Sequence, residues 1–346
     1  MKINAWNRLL EFETRDLIER YVKDKHGRKC SAKQIMEISS NFIQGREYFK
    51  NAKQAAITVK PLLQYYGVSA LCRGLVLACT PYISEAALKP SHGLETIKWQ
   101  ESLAKRDFGG LTVAIRHGAF YELLSYTENK VYFKHNSSAI SYSQCLEVPQ
   151  IGTEIKLNDL LLTFPDLAGE YKTWSQNKLH YAILQTFNIL NGTHEYEYGI
   201  NKTCGKETIE ELFPKILLGD YDLSDSGSST IIKTKDSYLL LFAQIFTDSF
   251  NAGMGEIALT KPINQHVYLS SLAQFYVVSF FLGMLSRYFP SVWISLSRTE
   301  KGDSIFPLVV KIIDMIDDYF PELILNYLLG PYSFEKSKTE GGEPCQ

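Results

Sequence analysis

The chain has 346 residues, 45% hydrophobic and 21% charged, which is length and apolar content enough for a sizeable core. Its net charge of −2 gives no global electrostatic footprint for nucleic acid, although a local basic face stays open. Six cysteines without a C-x-x-C pair argue for free thiols rather than zinc, and no apolar leader opens the chain, so a cytoplasmic protein without metal or cofactor is expected.

Three zones follow in chain order. Residues 1–105 read as helical, 106–265 as a β-containing middle segment, 266–332 as helical again, and 333–346 as a disordered polar tail. Arg20 and His26 fall at the end of the first helix, where Gly27 can terminate it. Ser31 and Gln34 form a capping box for the next, whose Ile35, Ile38, Phe42 and Phe49 share a face. The helix over 61–80 opens with Pro61, ends before Pro81 and carries one interior charge, Arg73. Being apolar nearly all round, it belongs at the centre of a bundle.

In the middle segment, short β-rich runs stand at 111–115, 131–134, 140–142, 195–200, 230–233 and 256–259, separated by turn residues. Helices are expected over 158–163 and 206–217. The uncharged stretch 267–285 is long enough to span a bilayer, but its Ser270, Ser271, Gln274 and Ser279 favour a buried core helix. The last helix, 304–320, has an apolar stripe opposite Lys311, Asp314 and Asp318.

Several side chains are candidates for chemistry. A lone Arg73 in an apolar helix needs a partner, either a carboxylate such as Glu85 or Glu95, or a bound phosphate. His92, in KPSHGLE, follows that helix and could act beside Arg73 as a base or phosphate ligand. Arg116-His117-Gly118 ends an apolar run, the way a histidine phosphatase presents its nucleophile, with His180, His194 and His266 as available partners. Arg287-Tyr288 and Trp293 offer flat faces that could stack a base or anchor a chain turn.

The segments REYFKNAKQAAITVKPLLQYYGVSALCRGLVLACTP with SHGLE, and LAQFYVVSFFLGMLSRYFPSVW with FPELILNYLL, resemble the bacterial YaaC-like proteins in text and order. More distantly, KPLLQYYG…HGLE resembles HEPN-type helical bundles of toxin and antiviral-defence proteins. That resemblance implies a catalytic Arg and His with four to six residues between them. Arg20 and His26 have this spacing, whereas Arg73 and His92 lie 19 apart and Arg116 and His117 are adjacent.

The expected fold is α+β, mainly α: N- and C-terminal helices in one bundle with the β-containing segment inserted. With no coherent catalytic set, the expected function is a non-catalytic binding or scaffold protein of the YaaC-like family, in a bacterial antiviral-defence or toxin-like system. Its expected partner is another protein, without a membrane and with oligomerisation open. The alternative is a ribonuclease or nucleotide-acting enzyme using Arg73 and His92, or Arg20 and His26.

Overall fold

A computed structural model of the chain describes residues 5–134, 141–190, 195–201, 221–227, 229–235, 242–244, 257–264, 267–296 and 303–330, with single positions at 209, 212 and 246. The expected helix over 206–217 and the polar tail lie largely or wholly outside these residues. The fold is α+β and mainly helical.

The N-terminal part comprises α1 (Ala5–Leu9), α2 (Arg15–His26), α3 (Ala32–Gln54) and α4 (Lys60–Cys79). Gly27, left-handed at φ 64°, terminates α2, and the Ser31–Gln34 capping box opens α3. The C-terminal part comprises α9 (Ser271–Tyr288), α10 (Pro290–Leu296) and α11 (Phe306–Leu329). Helix α4 packs against α3, α9 and α11, which is why a helix with so weak an apolar preference for one side can exist in it. Helix α9 begins at Ser271, later than its apolar stretch, because the Ser270 hydroxyl caps it by accepting from the Ala273 N–H. A Cβ on Gly283 of α9 would lie 2.7 Å from the Tyr65 Cβ, so this glycine lets α9 close on α4.

Between the two parts run β1 (His92–Ile97), α5 (Trp99–Ala104), β2 (Thr112–Gly118), α6 (Ala119–Tyr126), β3 (Lys130–Lys134), β4 (Ser141–Cys145), β5 (Glu154–Lys156), α7 (Leu157–Leu161) and α8 (Ala168–Ser175). They are followed by β6 (Ala182–Leu190), β7 (Glu195–Asn201), β8 (Tyr221–Ser226), β9 (Ser229–Thr234), β10 (Phe242–Gln244) and β11 (Ile257–Leu259). Strands β1, β2 and β5 form one antiparallel sheet and β3–β4 a hairpin, while β10-β11-β6-β7-β9-β8 is the order of an antiparallel six-stranded sheet. One apolar cluster joins both helical parts to the three-stranded sheet and α5–α8. The six-stranded sheet has its own, around Tyr198, Ile200, Ile232 and Leu259.

Asn129 ties these layers together. Fully buried, its Nδ2 donates to the Glu147 and Tyr268 carbonyls, and its Oδ1 accepts from the Ser270 N–H at the start of α9. Among the described residues, α4 is the one single helix long and apolar enough to cross a membrane, and 67% of that window is buried; α9 and α10 pass only as a pair, bent by 110°. The α9 stretch expected as a core helix is buried from Leu272 to Ser286.

Candidate functional site

His92 is the first residue of β1, opposite Gly118 of β2, rather than part of a free turn. The neighbouring Gly93, at φ 75°, is required there: a Cβ would lie 2.6 Å from the Phe120 nitrogen. Tyr65, fully buried on α4, brings its hydroxyl 2.6 Å from His92 Nδ1. Tyr276 of α9, equally buried, donates its hydroxyl to the His92 carbonyl at 3.1 Å. Tyr65 and Tyr276 therefore hold His92 at two points, one at its ring nitrogen and one at its carbonyl. The rings of Tyr65 and Tyr276 also meet edge-on, 6.1 Å between centres. Burial pushes both phenols far above the usual tyrosine range, so neither ionises. Nε2 has no hydrogen-bond partner among the described residues. Burial first, and the nearby Arg287 guanidinium second, hold the imidazole below its ordinary pKa.

Arg287 lies on the last turn of α9, exposed. Its Nη1 donates to the Tyr66 hydroxyl at 2.6 Å, and its guanidinium carbon sits 4.9 Å from the Tyr288 ring centre. The Tyr66 ring in turn lies 5.6 Å from that of Tyr48. Cation and aromatics therefore share one patch beside His92, with Tyr288 58% exposed. Trp293 takes the other direction. It is buried on α10, and its Nε1 donates to the Ile57 carbonyl at 3.2 Å, fixing the α3–α4 connection.

Arg73 finds the carboxylate of Glu85, at 3.9 Å from Nε, but makes no hydrogen bond or ion pair with His92 among the described residues. Its Nε is buried without a hydrogen-bond partner. Glu95 pairs instead with Arg116, across β1 and β2, at 2.7 Å. That pair is exposed and contributes little. Arg116 and His117 are successive strand residues, so their side chains leave opposite faces of the sheet. His117 meets the Tyr121 ring edge-on at 5.6 Å. His180 is half-buried, and His194 and His266 lie outside the described residues.

A model of the YaaC-like protein family matches residues 10–328. The chain belongs to the YaaC-like family. No curated protein and no solved structure matches it. The family match takes in the β-rich middle as well as the two helical segments, and it contains every candidate residue from Arg20 to Trp293.

In this YaaC-like chain, Arg20 and His26 sit on one continuous helix. Six residues at about 100° each leave them roughly 120° apart around its axis and about 9 Å apart along it. Arg20 is exposed, while His26 bonds through Nε2 to the Ala78 carbonyl in the last turn of α4, at 3.1 Å. Lys25 beside it donates to the Tyr327 and Leu328 carbonyls, both at 3.1 Å, so the end of α2 caps two other helices. Sequence reasoning missed Tyr65, Tyr66 and Tyr276. The signal available was the pair Tyr65-Tyr66 in an apolar helix, where a buried phenol needs a hydrogen-bond partner.

Proposed function

We propose that this YaaC-like chain is a non-catalytic binding protein whose partner is another protein, engaged through the patch of Arg287, Tyr288, Tyr66 and Tyr48 beside His92. The observation that carries this reading is the exposed Arg287, held in place between Tyr66 and Tyr288 before any partner arrives. Arginine and tyrosine dominate the energetics of protein interfaces, and side chains already fixed lose less freedom on binding. The candidate catalytic pairs point the same way: Arg73 engages Glu85, His26 caps α4, and Arg116 engages Glu95. The setting of a bacterial antiviral-defence or toxin-like system rests on the HEPN-type resemblance of KPLLQYYG…HGLE alone.

Replacing Tyr288 by a photo-crosslinking amino acid in the producing cell tests this. A discrete protein adduct that vanishes in an Arg287→Ala background supports the reading. Adducts to nucleic acid only, or none, overturn it.

A second reading is favoured by the free Nε2 of His92: a ribonuclease or nucleotide-acting enzyme, with His92 as base and Arg287 or Arg73 holding phosphate. Cleavage of labelled total RNA by the purified chain, lost in a folded His92→Ala variant, would establish it in place of the first.

A further inference from the structure

One end of the bundle gathers the finish of α2, α4 and α11 and the start of α3. The contacts that place them together are His26 to Ala78, Lys25 to Tyr327 and Leu328, and Gln34 Nε2 to the Pro81 carbonyl. From Arg15 to Lys33 the chain carries seven lysines and arginines against three acids, in a protein of net charge −2. Lys25 and His26 are used up as helix caps. Lys23, Arg28 and Lys29 are exposed and make no ion pair or hydrogen bond among the described residues. Lys33 is 68% exposed and reaches Glu37 only at 3.8 Å.

Of the acids nearby, Glu37 is buried, Glu19 and Glu85 are half-buried and Asp16 is exposed. Glu37 also accepts from the Glu85 N–H, and Glu85 faces Arg73; Asp24 is exposed.

The same end carries apolar side chains where water should be. Met36, one turn into α3, is 64% exposed, and Ile43, two turns further on the same face, 40%. Tyr82 is 65% exposed in the turn that Gln34 holds to the start of α3. A polyanion such as a nucleic acid accounts for the cations but gives Met36 and Ile43 nothing to enter. The boundary of an anionic bilayer accounts for both: lipid phosphates face the cations, tyrosine sits at headgroup level, and short apolar side chains reach the acyl edge.

We propose that this end of the bundle docks reversibly on an anionic lipid surface, with Lys23, Arg28, Lys29 and Lys33 facing headgroups and Met36 and Tyr82 entering the interface. This site is separate from the Arg287 patch and does not depend on it.

Co-sedimentation of the full chain with phosphatidylcholine vesicles, with and without phosphatidylserine, tests the proposal. Binding is expected only with the anionic lipid. Lys23→Gln/Arg28→Gln/Lys29→Gln is expected to lower the partition coefficient roughly 100-fold, each cation near such a surface contributing about a factor of five. Met36→Gln/Tyr82→Gln is expected to weaken binding while keeping its dependence on anionic lipid. The charge-conserving Lys23→Arg/Lys29→Arg should bind like the natural chain, which separates loss of charge from loss of fold. Equal binding to neutral vesicles, no binding to anionic ones, or an unchanged triple variant overturns the proposal. So does tighter binding to a single-stranded oligonucleotide that ignores Met36 and Tyr82.

Discussion

Tyr65→Phe removes one oxygen from a fully buried ring and changes its shape little. What it takes away is the hydrogen-bond partner of His92 Nδ1. A buried polar group left unpaired costs about 1–3 kcal/mol, so about 2 kcal/mol is expected. The ring packing stays, since the edge contacts with Tyr276 and Phe280, at 6.1 and 5.5 Å between centres, do not involve the hydroxyl. Tyr65→Ala, by comparison, also loses those contacts and should cost about 3–5 kcal/mol. Urea unfolding followed by tryptophan fluorescence reads both, with the midpoint falling and the slope unchanged for Tyr65→Phe. Combining it with Tyr276→Phe should give a coupling of about 0.5–3 kcal/mol, because the two hydroxyls hold the same residue, His92. A Tyr65→Phe variant as stable as the natural chain, with no coupling to Tyr276→Phe, would refute this account of how His92 is held.

Acid should weaken the fold before most carboxylates titrate. Burial lowers both His26 and His92 from 6.5, so the unfolded chain takes up more protons than the folded one as pH falls through 6.5. Stability present above that value is therefore lost below it. Urea midpoints from pH 7.5 down to 5.5 should decline, and His26→Gln/His92→Gln should flatten the decline; an equally steep double variant contradicts this. Asn129→Ala strips three hydrogen bonds from main-chain groups, the buried Ser270 N–H among them, and should cost about 3 kcal/mol in the same unfolding assay. Asn129→Gly, which suits the φ of 44°, should recover only the backbone share of that loss. Gly283→Ala forces a methyl against the Tyr65 Cβ and should destabilise by about 1–3 kcal/mol, again read from the urea midpoint.

The helices were legible in the sequence because their signals are local. The capping box at Ser31, the Gly27 stop, Pro61 at the start of α4 and the all-round apolar character of α4 and α9 needed no tertiary information. Helix α11 shows a limit of that reading. Its stripe is expected to end at Phe320, before Pro321, yet the helix continues to Leu329, with Pro321, Leu323, Ile324 and Leu325 buried. Core packing there outweighs the hydrogen bond that proline removes. Strand β1 was hidden for another reason: HGLETI has little β pattern, and its pairing with β2 spans a connection that holds α5. Charged candidates were visible as residues, whereas their partners were not. Arg73 and His92 look like a pair along the chain, but the cation acting on His92 comes from Arg287, almost two hundred residues away and brought in by α9. The phenols that fix the imidazole were masked by their resemblance to ordinary core aromatics.

The most direct test of the site is a nitrogen-15 NMR titration of His92 in the natural chain and in Arg287→Gln. The structure predicts a pKa below 6.5 that rises when the guanidinium is removed. A pKa at or above 6.5 that ignores Arg287→Gln would contradict it.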